Sequence, residues 1–333
     1  MTPLLRLKAV GTIAALLILF PAMTSSAHAL DIQGHRGARG LSPENTLPAF
    51  ARALEIGVTT LELDCGLTKD GVVVIAHDRA LNPDVTRDAG GRWIESAGPA
   101  IRDLTYAELR RYDVGRIRPG TRYAQRYARQ QGLDGMHVPR LSDLFLLVRE
   151  RGDERVRFNI ETKLSPLAPG ETAPPEVLAK ALIEAVTQAG METRVTIQSF
   201  DWRTLQVVQK EAPAIPTVYL TAVKSSPRNV APGSPWTAGF QVADHGGSIP
   251  RTVKAAGGAV WSPAYGELTQ DQLREAQALG LKVVPWTVND EADMKRLIEW
   301  GVDGIISDYP DVLKKVATAR GEKANAGEPK ERR

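Results

Sequence analysis

The sequence predicts an α/β protein, a (β/α)8 barrel of the TIM type with a small inserted subdomain after the hairpin that follows its second strand. Three observations predict it. Short β-branched runs alternate with helical patterns from Leu30 onward, and repeated strand–helix units call for a parallel sheet. Eight such units fill a stretch close to the typical barrel size of about 250 residues. The first glycine cluster, Gly34-His35-Arg36-Gly37, lacks the spacing of a dinucleotide fingerprint, which argues against a doubly wound open sheet.

The strand candidates, in order, are Ile32–Arg36, Thr59–Asp64, Arg157–Glu161, Arg194–Ser199, Pro216–Thr221, Gly258–Ser262, Lys282–Thr287 and Asp303–Asp308. The clearest helical patterns are Asn45–Ile56, Pro175–Ala189, Trp202–Glu211, Thr269–Leu279 and Glu291–Trp300. Asp201 and Asp290 stand where helix N-caps belong, and Gly57, Gly190, Gly280 and Gly301 where helices should stop. Residues 79–140 break the alternation. They are rich in Arg, Gly, Pro and Tyr with one helical piece at Thr105–Tyr112, and are expected to form the insertion, capping the site.

The ends of the chain read differently. Arg6 and Lys8 precede an uncharged run, Pro21 follows, and Ala27-His28-Ala29 closes the segment. This is the pattern of a secretory signal peptide over residues 1–29, so the protein is expected to be exported, periplasmic or secreted, without a stable membrane anchor. The barrel is expected over residues 30–317. Residues 318–333 are polar and charged without apolar periodicity, as in a disordered tail. Without residues 1–29 the chain carries 40 basic and 39 acidic side chains, and no concentrated basic patch suggests nucleic acid as a partner. Cys65 is the single cysteine, so no intramolecular disulfide is available. Oligomeric state is not legible.

Barrel sites lie at the C-terminal ends of the strands. His35 and Arg36 end the first strand, Glu62 and Asp64 the second, and Glu161, followed by Lys163, the third. Period two places Glu62 and Asp64 on one face. Their mutual repulsion calls for a hard divalent cation, Ca²⁺ or Mg²⁺, with Glu161 as a third oxygen ligand. Asp70-Gly71 reads as a two-residue hairpin turn, which would pair Asp64 with His77 and bring that imidazole to the carboxylates. Arg36 and Lys163 are then suited to an anionic phosphate, and His35 and His77 to proton exchange.

Beyond this reading, the sequence resembles the glycerophosphodiester phosphodiesterase family from about Ile32 to Lys315. The segments that carry the resemblance include Gly34–Gly37, Pro43-Glu44-Asn45-Thr46, Glu62-Leu63-Asp64, Thr68–Gly71, Ala76-His77-Asp78, Asn159–Lys163, Gln198-Ser199-Phe200, Trp286–Asn289 and Asp303–Pro310. The resemblance implies a phosphoric diester hydrolase acting on a small-molecule glycerophosphodiester to release sn-glycerol 3-phosphate and an alcohol. It implies His35 and His77 as the acid–base pair and Glu62, Asp64 and Glu161 as ligands of one Ca²⁺ or Mg²⁺. Arg36 and Lys163 would contact phosphate, Glu44 would orient His35 or a glycerol hydroxyl, and Trp286 would wall the glycerol moiety. The alternatives are an activity similar to the sphingomyelinase D toxins, which carry disulfides that a single cysteine cannot make, and a non-catalytic solute-binding barrel.

Overall fold

The computed structural model describes residues 29–326. The segment read as a signal peptide therefore lies, apart from Ala29, outside the described residues, as do residues 327–333 of the tail. No described helix is long and apolar enough to cross a membrane.

The strands are β1 (Asp31–Gly34), β2 (Thr60–Leu67), β3 (Val73–Ile75), β4 (Arg157–Thr162), β5 (Val195–Ser199), β6 (Thr217–Thr221), β7 (Val260–Pro263), β8 (Lys282–Val283) and β9 (Gly304–Ser307). All but β3 are parallel, in the order β8-β7-β6-β5-β4-β2-β1-β9. Backbone bonds draw the outer two together, from Asp303 N to Val283 O (3.0 Å), Ile306 N to Pro285 O (3.1 Å) and Val288 N to Ile306 O (2.9 Å). The result is an eight-stranded parallel barrel. The eighth run is far shorter than Lys282–Thr287, because Pro285 offers no N–H and the chain there bonds across the seam.

The helices are α1 (Leu47–Ile56), α2 (Tyr106–Leu109), α3 (Arg122–Arg126), α4 (Leu141–Glu150), α5 (Pro175–Gln188), α6 (Trp202–Glu211), α7 (Ile249–Ala255), α8 (Gln270–Ala278), α9 (Glu291–Trp300) and α10 (Pro310–Ala326). α1 starts two residues later than expected, because Asn45 adopts a left-handed φ of 54° and Thr46 is extended. α10 carries regular helix into the range read as a polar tail.

Alternation along the strands sorts the side chains. Leu61, Leu63, Phe158, Ile160 and Ile197 face the helices and join the main apolar core. The intervening residues face the barrel interior, which has two halves. Val218, Val260, Val284 and Ile306 fill one half. In the other, Gln198 Nε2 donates to Glu62 Oε1 (2.6 Å), Asn159 Nδ2 donates to both Gln198 Oε1 and Gln33 Oε1 (3.0 Å each), and Gln33 Nε2 donates to Asp31 Oδ2 (2.9 Å). A line of amides thus joins the floor of the barrel to its mouth.

The β2–β3 hairpin corrects the expected register by one residue. Cys65 pairs with Ile75, Gly66 with Val74 and Leu67 with Val73. The loop is Lys69-Asp70-Gly71, three residues, with Gly71 at φ 79°, the common arrangement of a turn closed by a left-handed glycine. Thr68 explains the extra residue: its hydroxyl donates to Asp70 Oδ1 (2.6 Å) and accepts from Val72 N (2.9 Å). Asp64 O then accepts from Ala76 N, not from the residue after it. The pairing argument for His77 therefore fails.

Residues 79–140 include α2, α3 and a small apolar cluster of Leu81, Ile101, Leu109 and Val138 with Val74 of β3. The α3 region rests on the barrel mouth. Gln130 Nε2 donates to Arg39 O (2.7 Å), Gln131 N to Leu41 O (3.0 Å), and the Tyr123 hydroxyl to Glu44.

Candidate active site

A cavity of about 520 Å³ opens at the C-terminal ends of the strands. His35, Arg36, Glu62, His77, Glu161, Lys163 and Trp286, all expected at the site, line it. His35 directly follows β1. Its Nδ1 lies 2.6 Å from Asp308 Oδ1, which follows β9. Asp308 also accepts from Arg39 Nε (2.9 Å) and Asn289 Nδ2 (2.7 Å), and these donors hold its carboxyl well below the usual range. An ionised carboxylate can only accept, so His35 Nδ1 carries the proton and Nε2 is left as an acceptor. That Nε2 lies 3.8 Å from Glu62 Oε2. Burial pulls the His35 pKa down and Asp308 pulls it back up, with a net lowering from 6.5.

Glu62, Asp64 and Glu161 are buried, and each offers an oxygen within 4.8 Å of the other two. β2 and β4 run in register with Asp64 beside Glu161 and Glu62 beside Asn159, so adjacent strands present the three acids to one side. Such crowding is costly. Burial and the Asp64 charge push Glu62 well above its ordinary range, and burial lifts Glu161 to about 7. Burial works against Asp64 most strongly of all, but the charges of Lys163, His77, Arg36 and His35 together overcome it and hold that carboxyl far below its ordinary range.

Lys163 Nζ sits 2.7 Å from Glu161 Oε1 and 3.4 Å from Asp64 Oδ1. Arg36 Nε lies 3.3 Å from Asp64 Oδ2, and its backbone N donates to Glu62 Oε2 (2.9 Å). Arg36 reaches this position at a left-handed φ of 50°. Asp64 Oδ1 is buried and receives no hydrogen bond among the described residues. Three crowded carboxylates with an unfilled acceptor are the donor set of a hard divalent cation, and the trio fits one.

His77 reaches the cavity by leaving the ladder. β3 ends at Ile75 and the chain bends at His77. Its Nδ1 lies 2.9 Å from Asp78 Oδ1, and withdrawal from water together with the Arg36 and Lys163 charges lowers its pKa to about 4, although the ring stays about a third exposed (32%). Glu44 does not line this cavity. It pairs with Arg36 Nη1 (2.6 Å) and the Tyr123 hydroxyl and lines a neighbouring pocket that His77 also lines, while Asp308 is the group bonded to His35 Nδ1. Trp286 is half-buried, donates from Nε1 to Ser262 O (3.0 Å) and stands edge-to-face with Phe200 at 5.2 Å.

Three positioning residues had no role in the sequence reading. Asp308 orients His35, Gln198 holds Glu62, and Asn45 donates to Asp64 Oδ2 (2.9 Å). Asp308 carried a signal, an acid at the end of an apolar strand like Asp64. Asn45 and Gln198 are uncharged and stood out only as members of motif segments, with no chemistry of their own to mark a role.

Fixed cations beside a carboxylate trio that could hold a metal ion, at the mouth of a parallel barrel, are chemically suited to a phosphate-bearing substrate. The chain belongs to the glycerophosphoryl diester phosphodiesterase family, whose sequence profile matches residues 35–312. It is 31% identical over 282 residues to the glycerophosphodiester phosphodiesterase of Caldanaerobacter subterraneus subsp. tengcongensis, covering 84% of this chain and 94% of the relative. It is 32% identical over 288 residues to that of Bacillus subtilis, covering 85% and 84%. A Silicibacter pomeroyi protein of the same family name has a crystal structure that matches with a TM-score of 0.78 at 36% identity, over 88% of this chain and 94% of that one. An Oleispira antarctica phosphodiesterase, solved with the product sn-glycerol-3-phosphate, shares the fold at a TM-score of 0.62 and 23% identity, over 86% and 96%. Family and relatives together support glycerophosphodiester hydrolysis.

Proposed function

We propose that the protein hydrolyses glycerophosphodiesters to sn-glycerol 3-phosphate and an alcohol, with His35 and His77 exchanging protons beside one Ca²⁺ or Mg²⁺ held by Glu62, Asp64 and Glu161. The observation that carries this reading is the His35 imidazole, locked at Nδ1 by Asp308 and presenting Nε2 3.8 Å from the acidic trio. The Oleispira protein's product complex agrees with the choice of product. When bound, the cation supplies charge neutralisation at a phosphoryl oxygen.

The chain's own residues do the rest. Arg36 and Lys163 hold the anionic diester. His35 Nε2 accepts the proton of the glycerol 2-hydroxyl, whose oxygen attacks phosphorus to close a cyclic phosphate. His77 donates a proton to the departing alcohol, and the phosphate charge arriving beside it favours its protonated form. Water then opens the cyclic ester with the two roles exchanged. Trp286 and Phe200 offer an apolar wall to the glycerol carbons.

Residues 79–140 act as a cap in this scheme, since they supply Arg126 and Tyr127 to the cavity lining. Residues 1–29 serve export, and N-terminal sequencing of the mature protein is expected to start at Leu30. The purified mature protein is expected to release sn-glycerol 3-phosphate from glycerophosphocholine or glycerophosphoethanolamine, and chelation to abolish it. Full turnover after EDTA treatment and metal-free dialysis would remove the cation from the reading. Phosphocholine or phosphoethanolamine in place of free alcohol would overturn the bond cleaved.

A further inference from the structure

We infer that Arg126 selects glycerophosphodiesters whose leaving alcohol carries an anionic group, a carboxylate above all. The inference rests on the function proposed above and adds the substrate class. Four fixed cations line the cavity, and three of them are neutralised. Arg36 is paired with Glu44 and Asp64, Arg39 with Asp308, and Lys163 with Glu161 and Asp64. Arg126 differs. It lines the cavity from α3, its side chain is exposed, and no carboxylate or aromatic ring among the described residues pairs with its guanidinium.

Its placement is fixed from below. The Tyr309 hydroxyl donates to Arg126 O (3.4 Å), Tyr123 bonds Glu44, and Tyr127 lies under the Arg39 guanidinium at 4.5 Å. α3 is therefore held over the loops that follow β1 and β9. By strand order those loops lie across the mouth from the loops after β5 and β6, where Phe200 and Ser225 stand. With the phosphate between Arg36 and Lys163 and the glycerol against Phe200 and Trp286, the leaving group extends toward α3. The acids of the cavity, Glu62, Glu161 and Asp308, are buried and already paired, so none competes for Arg126. A guanidinium fork matches a carboxylate.

The test uses two esters that differ by one carboxylate, glycerophosphoserine and glycerophosphoethanolamine. Full-length mature protein is assayed with Arg126→Ala, Arg126→Lys and Arg126→Glu, all at an exposed position. Wild type is expected to favour the serine ester in kcat/KM by about 5- to 20-fold, the range of a partly screened charge-assisted contact. Arg126→Ala is expected to bring the ratio near one by raising KM for the serine ester alone, Arg126→Lys to restore part of it, and Arg126→Glu to invert it. An equal loss on both esters in Arg126→Ala would place the guanidinium on the scissile phosphate and overturn the proposal. An unchanged ratio would show a solvated arginine and overturn it equally. Wild type that cleaves neither ester would instead defeat the function proposed above.

Discussion

Asp308→Asn isolates what the carboxylate behind His35 does. The substitution keeps the shape of a group that bonds His35 Nδ1 at 2.6 Å, Arg39 Nε at 2.9 Å and Asn289 Nδ2 at 2.7 Å, and removes its charge. Two effects follow. An amide can offer N–H as well as oxygen, so His35 is no longer bound to the tautomer with a free Nε2, and the plateau of kcat/KM should fall by ~10²- to 10⁴-fold. The pH profile gives the second effect with a sign. Burial lowers the His35 pKa and Asp308 raises it, so loss of the charge moves the acidic limb of kcat/KM to lower pH.

Stability falls too, because the buried Arg39 loses its counter-charge. Breaking a buried pair costs about 3–5 kcal/mol, and retained hydrogen bonds place this case near the lower end. For a domain of this size that is roughly 5–10 °C in Tm. The assay couples released sn-glycerol 3-phosphate to its dehydrogenase across pH 4–9, with Tm measured in parallel to show that the variant is folded. An acidic limb that moves to higher pH, or a folded variant with an unchanged plateau, would falsify the orienting role.

His35→Ala and His77→Ala should each lower turnover by at least ~10²-fold with folding intact; near-normal turnover in either would end its assignment. Glu62→Gln should abolish the Tm increase that Ca²⁺ or Mg²⁺ gives to EDTA-treated protein, since it takes one carboxylate out of the acidic trio. An undiminished increase would remove Glu62 from the ligand set. Gly71→Ala, at φ 79° in the exposed hairpin loop, should cost about 1–2 kcal/mol while kcat/KM stays unchanged. A drop in kcat/KM would tie the loop to the site.

The barrel was legible because alternating strands and helices leave a strong periodic signal, and Glu62, Asp64 and Glu161 were legible because acids at apolar strand ends are anomalous. What was not legible is instructive. α4 was missed although Leu141, Leu144, Phe145 and Val148 form a buried helical stripe, because Arg140 stands at its N-cap in place of Ser, Thr, Asp or Asn and no start signal marks it. The hairpin register slipped because a Thr hydroxyl, not the Asp-Gly pair, sets the loop length. His77 reached the site all the same, through a bend that no pairing rule contains. Glu44 carried a charge and a motif, yet its partners come from α3 and the first loop, far apart in sequence.

The amide line through the barrel has a consequence for donors and acceptors. Both of its ends are carboxylates, Asp31 at the floor and Glu62 at the mouth, and both must accept. A chain that accepts at each end cannot run in one direction. Somewhere it must contain a group that gives two hydrogens and turns the polarity around. Asn159 is that group: its single NH₂ serves Gln33 on one side and Gln198 on the other, while its oxygen takes the Thr196 hydroxyl at 3.0 Å. An Asp at this position would keep the size and lose both hydrogens. Gln33 and Gln198 would then turn to face it, and Glu62 would lose the donor that holds Oε1 in place. The orientation of a side chain at the mouth is therefore decided by the hydrogen count of a residue that touches neither substrate nor cation.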